Sequence, residues 1–228
     1  KPIIKNNNLK KYSFNELYEL AGIFISEGTL YHQKRFIKDK RHPKGRFSIV
    51  SQTYLNTKIY EKDFRKRINY LLKKYCPYNL KWKQYKKNKY ISIRIYDTRK
   101  EVYNWFNNLI KKITLENITK NKPRMRSFIN GIFKSDACWN KKRHSIKYSF
   151  TKKNIFNIVS ICLSLLGIGH TLWTNKNKFY GNMKSELYIL EIVYGSDIKK
   201  LFKWFKWDSY RDNNITRIKN TINKKDYI

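Results

Sequence analysis

Acidic side chains are scarce in this chain of 228 residues: Asp and Glu number 16 against 51 Lys and Arg, for a formal net charge of +35. A compact chain with this charge repels itself, and binding of a polyanion relieves the repulsion. Nucleic acid is the polyanion that we expect, because each phosphate that a cation neutralises releases a condensed counterion. An AT-rich genome would enrich Lys, Asn, Ile, Tyr and Phe together, but it would not by itself remove the acids.

Cysteines and long apolar runs are scarce as well. The three cysteines, Cys76, Cys138 and Cys162, have no CxxC or Cys/His spacing, which argues against a zinc site or a disulfide framework and favours reduced thiols. The longest apolar run begins at Ile155, is interrupted by polar residues and is too short to span a bilayer. The first residues lack the apolar region of a signal peptide. We therefore expect an intracellular protein with no membrane partner, in the cytoplasm or mitochondrion of a host with an AT-rich genome.

Apolar residues make up 41% of the chain, which is enough for a core, and they are arranged as an internal repeat. Each half has the order helix, two strands, helix, two strands, helix. This order predicts an α+β fold with two pseudo-symmetric αββαββα halves, each with a four-stranded antiparallel sheet covered on one face by helices. We place the halves at residues 1–114 and 127–228, with a linker at 115–126, and a turn between the first two strands at His42–Gly45.

One short apolar motif occurs in both halves. LAGIFISEG, which begins at Leu20, is followed 109 positions later by INGIFKSDA. In each copy a glycine and a serine lie four residues apart on one face of the predicted helix: Gly22 with Ser26, and Gly131 with Ser135. Small residues at this spacing let two helix backbones approach closely. We therefore expect the halves to pack on each other through these four residues.

Each copy of the motif also carries an acid in its last helical turn, Glu27 and Asp136. A carboxylate there meets the negative end of the helix dipole and the partnerless carbonyls. Two such acids ~4 Å apart would repel each other by roughly 4 kcal/mol at an effective dielectric near 20. A divalent cation relieves both penalties, because it accepts carboxylate and carbonyl oxygens together. The pattern predicts a metal site at Glu27 and Asp136, with Ser26 and Ser135 as further candidate ligands.

Alternation within the strand segments predicts which side chains face away from the helices. If Ile91, Ile93 and Ile95 face the helices, the residues between them face outward. Arg and Gln on such a face can pair with base edges, and lysines near position 83 can hold phosphates. The predicted DNA-binding set is Tyr31, Gln33, Arg35, Arg46, Ser48, Lys83, Tyr85, Tyr90, Ser92, Arg94, Lys147 and Ser149.

The two motif copies resemble the paired motifs of the LAGLIDADG homing endonucleases, in their single-chain form. The first copy matches the family pattern at Leu20, Ala21, Gly22, Glu27 and Gly28. The second copy matches at Gly131 and Asp136, with Ser135 as the small residue. It departs from the pattern at Asn130, Lys134 and Ala137.

The resemblance implies saddle-shaped sheets that straddle the major groove, with the motif helices between the halves. It implies a monomeric, intron-encoded enzyme that cuts double-stranded DNA at a long target site and leaves short 3′ overhangs. The two acids would bind Mg²⁺, with Ca²⁺ or Mn²⁺ as substitutes. Gln52 resembles a glutamine at the end of the family's second strand, and Thr151 takes its place in the second half. Lys141 or Lys142 resembles an assisting lysine.

Two other functions are compatible with the sequence. One is an RNA-binding maturase that helps its intron to fold, or a DNA-binding protein that no longer cuts. Such drift usually removes the motif acids, and both are present here. The other is a general basic nucleic-acid-binding module, which explains the charge but not the paired motifs. We therefore expect an endonuclease.

Overall fold

A computed structural model describes residues 14–58, 61–87, 90–140, 143–180, 183–193 and 195–204. The elements of the first half are α1 (Phe14–Glu27), β1 (Gly28–Asp39), β2 (His42–Lys58), α2 (Lys62–Tyr75), β3 (Trp82–Lys87), β4 (Tyr90–Asp97) and α3 (Lys100–Lys111). Those that follow are α4 (Leu115–Thr119), α5 (Lys122–Asp136), β5 (Cys138–Asn140), β6 (Ser145–Phe150), α6 (Lys153–Leu165), β7 (Thr171–Tyr180), β8 (Met183–Ile192) and α7 (Gly195–Trp204).

Each half is built on a four-stranded antiparallel sheet, and the two sheets have equivalent strand orders, β1-β2-β4-β3 and β5-β6-β8-β7. The predicted α+β fold with two pseudo-symmetric halves is therefore confirmed. Helix α2 illustrates how the sequence pattern forms a helix that packs on a sheet. Its apolar residues recur at helical spacing, and Phe64, Ile68, Leu71 and Leu72 are buried as one stripe.

Helices cover one face of each sheet. On the first sheet, His32 of β1 stacks on Tyr103 of α3 with ring centroids 5.0 Å apart. On the second, Phe150 of β6 contacts Phe156 of α6, with centroids 6.0 Å apart. The covered faces of both sheets belong to a single apolar core that also includes the motif helices. We call the opposite face of each sheet its open face.

Two local predictions differ from the structure. The turn between β1 and β2 lies at Lys40 and Arg41, and His42 already belongs to β2. The pairing register shifts between Ile37 and Asp39. The observed turn therefore precedes Pro43 and Gly45, the residues that suggested a turn in the sequence. The segment predicted as a linker contains α4 and the first turn of α5, where Asn121 caps the helix by accepting a hydrogen bond from the Arg124 amide. The domain boundaries themselves stay a prediction.

The two motif helices cross at their glycines. A Cβ on Gly22 would lie 2.5 Å from the carbonyl oxygen of Phe128, and one on Gly131 would lie 2.1 Å from that of Glu19. Separations this short leave no room for a side chain, so the backbones of α1 and α5 are in direct contact. The predicted packing of the halves through these helices is confirmed.

Hydrogen bonds surround this crossing. The hydroxyls of Ser26 and Tyr148 are 2.9 Å apart, and Tyr148 also donates to the carbonyl of Ile132 at 2.8 Å. Ser135 is buried, and its hydroxyl donates to the carbonyl of Gly131 at 2.9 Å. Tyr148 belongs to β6, so it joins the crossing to the second sheet.

A buried charge cluster lies beside the crossing. Glu19 of α1 is 3% exposed, yet its carboxylate accepts from Arg67 of α2 at 2.5 Å and lies 3.6 Å from the ammonium of Lys134 in α5. Lys134 is one of the departures of the second motif, and it is itself buried. Its partner on the opposite helix explains how the core accommodates it, because a buried charge is tolerated when it is paired.

Glu16 extends this cluster toward the surface. It accepts hydrogen bonds from Lys74 at 2.5 Å and from Arg67 at 3.1 Å. Burial raises the pKa of Glu16, but the hydrogen bonds from Lys74 and Arg67 outweigh burial and hold the pKa below its ordinary value. The carboxylate therefore contributes stability above its unfolded pKa, and this contribution is lost as the pH falls through the lower folded value.

Two further features concern the cysteines and the helices. Cys76, Cys138 and Cys162 are free thiols, as expected. Within the described ranges, none of the helices has the length and apolar character needed to cross a membrane.

We expect Gly131→Ala to destabilise the fold by about 1–3 kcal/mol, because the new methyl group overlaps the Glu19 carbonyl. Alanine is otherwise the better helix former, so the sign of the change reports the crossing. The measurement is denaturant unfolding. Gly195→Ala is the matched control, because a Cβ there meets nothing within 4 Å. Equal stability of Gly131→Ala and the wild type would contradict direct backbone contact.

Glu19→Gln should destabilise the protein by about 3–5 kcal/mol, because Arg67 and Lys134 lose a shared buried anion. Adding Lys134→Met should restore part of this loss, since it removes one uncompensated cation. The control is Glu116→Gln, whose exposed partner Lys120 lies 3.6 Å away. Thermal unfolding of the wild type, Glu19→Gln, Lys134→Met, the double variant and the control tests the coupling, and strictly additive effects of the two single changes would refute it.

Candidate nucleic-acid interface and active centre

The motif acids lie at equal distances from the helix crossing. Glu27 ends α1 and Asp136 ends α5, each five residues beyond its crossing glycine. At about 1.5 Å per residue, each acid lies roughly 7.5 Å from the crossing along its own helix. Glu27 is half-buried, and the side chain of Asp136 lies outside the described part of the structure. The apposition of the two carboxylates stays a prediction.

The donors at these helix ends fit a hard divalent cation. Carboxylate and terminal carbonyl oxygens are the ligands that Mg²⁺ and Ca²⁺ prefer. The hydroxyls of Ser26 and Ser135 already make hydrogen bonds at the crossing, which favours a packing role for them over metal binding. Across the described residues, no group of three or more His, Cys, Asp and Glu side chains could hold a metal ion. A metal bound by the two acids would therefore need further oxygen ligands, such as phosphate or water.

The register of the first sheet brings the predicted DNA-binding residues together. In an antiparallel sheet, directly paired residues point to the same face. Tyr31 pairs with Gln52, Arg35 with Ser48, and Arg94 with Lys83. Continuing these pairings across the sheet places the predicted residues of this half at open-face positions: Tyr31, Gln33, Arg35, Arg46, Ser48, Gln52, Lys83, Tyr85, Tyr90, Ser92 and Arg94. Their contacts with DNA stay a prediction.

Cations and aromatic rings alternate on this open face. The guanidinium of Arg94 lies 3.2 Å from the centre of the Tyr85 ring, and that of Arg35 lies 4.9 Å from the Tyr31 ring. The hydrogen bond from Arg35 to the Tyr31 hydroxyl, 3.1 Å long, raises the pKa of Arg35 further. A guanidinium group over a ring still has N–H groups available for hydrogen bonding.

Gln52 is fixed by two tyrosines. Its amide oxygen accepts from Tyr54 at 2.8 Å and its nitrogen donates to Tyr96 at 3.3 Å. The Tyr54 and Tyr96 rings stack 5.0 Å apart. Burial and the neighbouring Tyr96 raise the pKa of Tyr54. Gln52 is thus held at the end of the open face nearest the motif helix.

The second half places a different residue at the position of Gln52. Tyr31, which pairs with Gln52, lies four residues after Glu27, and Asn140, four residues after Asp136, pairs with Ser145. Ser145 is therefore the register equivalent of Gln52. Thr151, which the sequence suggested, lies in a bend beyond β6. Lys141 and Lys142 lie outside the described residues.

Lys147 and Ser149 occupy the open face of the second sheet, as the alternation predicted, and the ammonium of Lys147 lies 5.6 Å from the centre of the Trp173 ring. The neighbours of Lys147 were not predicted from the sequence. Glu191 pairs with Lys147, is 1% exposed, and contacts Asn140 and Arg143. The usable signal was an acid in the apolar run at the end of β8, but this part of β8 is apolar on both faces and therefore gives no clear alternation.

Comparison with known proteins supports the same architecture. Residues 123–204 match the family model of a LAGLIDADG-like domain. The structure of the homing endonuclease I-DmoI in complex with DNA and Mn superposes with a TM-score of 0.58 at 18% identity, over 84% of this chain and 97% of that one. The chain has the LAGLIDADG fold. The resemblance predicted from the two motifs is confirmed, and both motifs lie on one chain.

Two curated relatives are DNA polymerases of archaea. The one from Methanocaldococcus jannaschii is 27% identical over 86% of this chain, and the one from Thermococcus kodakarensis is 31% identical over 81%. This chain covers 12% and 10% of these proteins, so it spans about a tenth of their length.

Lys83→Ala should weaken binding of a random-sequence DNA duplex and reduce the slope of log K against log salt by about 0.9, the value for one lost phosphate contact. Fluorescence anisotropy over a series of salt concentrations, in Ca²⁺, measures the slope. The control is Lys66→Ala, which removes the same charge from α2, where Lys66 lies 3.0 Å from Asp63. Equal slopes for both variants would contradict a phosphate contact by Lys83.

Proposed function

We propose that this protein is a site-specific endonuclease that hydrolyses phosphodiester bonds in double-stranded DNA with a divalent metal. The observation that carries the proposal is the direct backbone contact of two helices that each end in an acid, beside two four-stranded sheets of which the first has a polar, cation-rich open face. The fold alone does not define an activity. The retained acids and the cation-rich first face are features of this chain's own residues.

The residues have separate roles in this proposal. The carboxylates of Glu27 and Asp136 would hold the metal, and the crossing fixes the helices that carry them. A bound divalent ion would supply Lewis acidity and an activated water. Gln52, held by Tyr54 and Tyr96, would orient a phosphate or water at one strand. Structures of I-DmoI contain DNA with Mn or Ca, or were obtained in the presence of Mg, which supports Mg²⁺ as the metal and Ca²⁺ or Mn²⁺ as substitutes.

The remaining details of the proposal come from the family. We propose short 3′ overhangs as products, a long DNA target and a monomeric enzyme, since both motif helices lie on one chain. An intron-encoded origin stays a proposal. The alternative is a module carried within a larger protein. The match of most of this chain to about a tenth of each of two polymerases supports this alternative.

The departures in the second motif do not by themselves favour a non-cleaving protein or a maturase. Lys134 is paired with Glu19, so its presence has a structural reason other than decay of the active centre. Gly131 and Ser135 keep their packing roles. Asp136 is present at the end of its helix.

Glu27→Gln and Asp136→Asn should each lower cleavage by at least about 100-fold, because each removes a charged metal ligand. A plasmid library of candidate insertion sites, incubated with Mg²⁺, measures cleavage, and binding in Ca²⁺ is measured in parallel. The control is Glu116→Gln, which removes an exposed acid. Cleavage by Glu27→Gln at the wild-type rate would refute the assigned role. Binding without cleavage by the wild type would favour the non-cleaving alternative.

A further inference from the structure

A buried acid, Glu191, lies on the open face of the second sheet beside Lys147, which was predicted to contact DNA. We call Asn140, Arg143, Ser145, Lys147 and Glu191 the Glu191 cluster. Glu191 is 1% exposed, and one carboxylate oxygen, Oε1, accepts from the hydroxyl of Ser145 and from the amide of Asn140 at 3.3 Å. The other, Oε2, lies 3.5 Å from Nη1 of Arg143.

An acid at this place opposes general attraction to phosphate. The equivalent row of the first sheet pairs Tyr54 with Tyr96, whereas here Lys147 pairs with Glu191. Burial of a carboxylate is costly unless hydrogen bonds and charges compensate it, and its removal from such a cluster leaves cations uncompensated. A cluster designed only for phosphate binding would be stronger without Glu191. We therefore assign Glu191 to holding the neighbouring polar and cationic side chains in position.

Arg143 is the neighbour that Glu191 leaves available. Its side chain is 67% exposed, while its Nη1 lies 3.5 Å from Oε2 of the buried Glu191 carboxylate. The attraction of this carboxylate favours rotamers of Arg143 that stay near the open face, so less entropy is lost when the guanidinium meets a ligand there. An open hollow of about 530 Å³ is lined by Asn140, Arg143, Lys147, Trp173 and Glu191, and gives a ligand access to this guanidinium.

We propose that Arg143, positioned by Glu191, reads a guanine in the major groove of the half-site bound by the second sheet. Guanine presents two neighbouring acceptors, O6 and N7, which match the fork of a guanidinium. Glu191 partly offsets the charge of Arg143, which favours this neutral edge over a phosphate. Glu191 is too deeply buried to contact a base itself, so it is a positioning residue. The inference rests on the proposed function, because it concerns recognition of the same DNA.

The test begins with selection from a randomised DNA duplex in Ca²⁺, which measures recognition without cleavage. The wild type should enrich guanine at one position. Glu191→Gln and Arg143→Lys should each lower that preference roughly tenfold and leave other positions unchanged. Arg143→Lys keeps the positive charge but removes the fork, and it leaves the buried carboxylate in place. The control is Glu116→Gln, which removes an acid from α4.

A second probe separates base contact from backbone contact. Replacing the selected guanine by 7-deazaguanine removes N7, and should weaken binding by the wild type but not by Arg143→Lys. Uniform weakening of all sequences by Arg143→Lys, with unchanged base preference, would mean a phosphate contact and would overturn the inference. So would an unchanged preference in both variants. A wild type that enriches no sequence would contradict the proposed function as well. Thermal unfolding of Glu191→Gln identifies a general loss of structure, in which case Arg143→Lys alone decides.

Discussion

The closeness of two helix backbones is the constraint on which the rest of the molecule depends. Because Gly22 and Gly131 have no side chains, α1 and α5 meet through main-chain atoms, and the first strand of each sheet leaves directly from the end of its motif helix. The positions of both acids and both sheets are therefore set by one contact. A side chain at either glycine would separate the helices and shift the acids relative to each other, even with every other residue unchanged.

The crossing is strengthened by polar contacts that differ between its two sides. On one side, Ser26 and Tyr148 join α1 to the second sheet. On the other, Glu19 gathers Arg67 and Lys134, so a buried ion cluster joins α1 to α2 and α5. Buried ions add little net stability compared with apolar groups of the same size, but they tolerate few alternative arrangements. The cluster therefore favours one packing of α1 on α5, whose contact surface otherwise consists of apolar and small residues.

Much of this architecture could be predicted from local patterns. Small residues at helical spacing identified the crossing, and strand alternation placed the first open face correctly because the register of β1 and β2 is unbroken from Gly28 to Ile37. The turn was wrong in detail, and the segment predicted as a linker contains a short helix, since a short helix and a register shift leave weak signals. The Glu19 and Glu191 clusters could not be predicted, because their partners are separated by up to 115 and 51 positions in sequence and meet only through the fold.

The two halves share a topology but not a chemistry, and this difference bears on the DNA that they would contact. A symmetric pair of open faces would suit a palindromic site, because equivalent positions would present equivalent donors and acceptors. Here the row nearest the first motif carries Tyr54 and Tyr96, while its counterpart carries Lys147 and Glu191. Gln52 likewise corresponds to Ser145. Because these differences lie close to the ends of the motif helices, asymmetry of the target should extend to its centre and should not be confined to its outer base pairs.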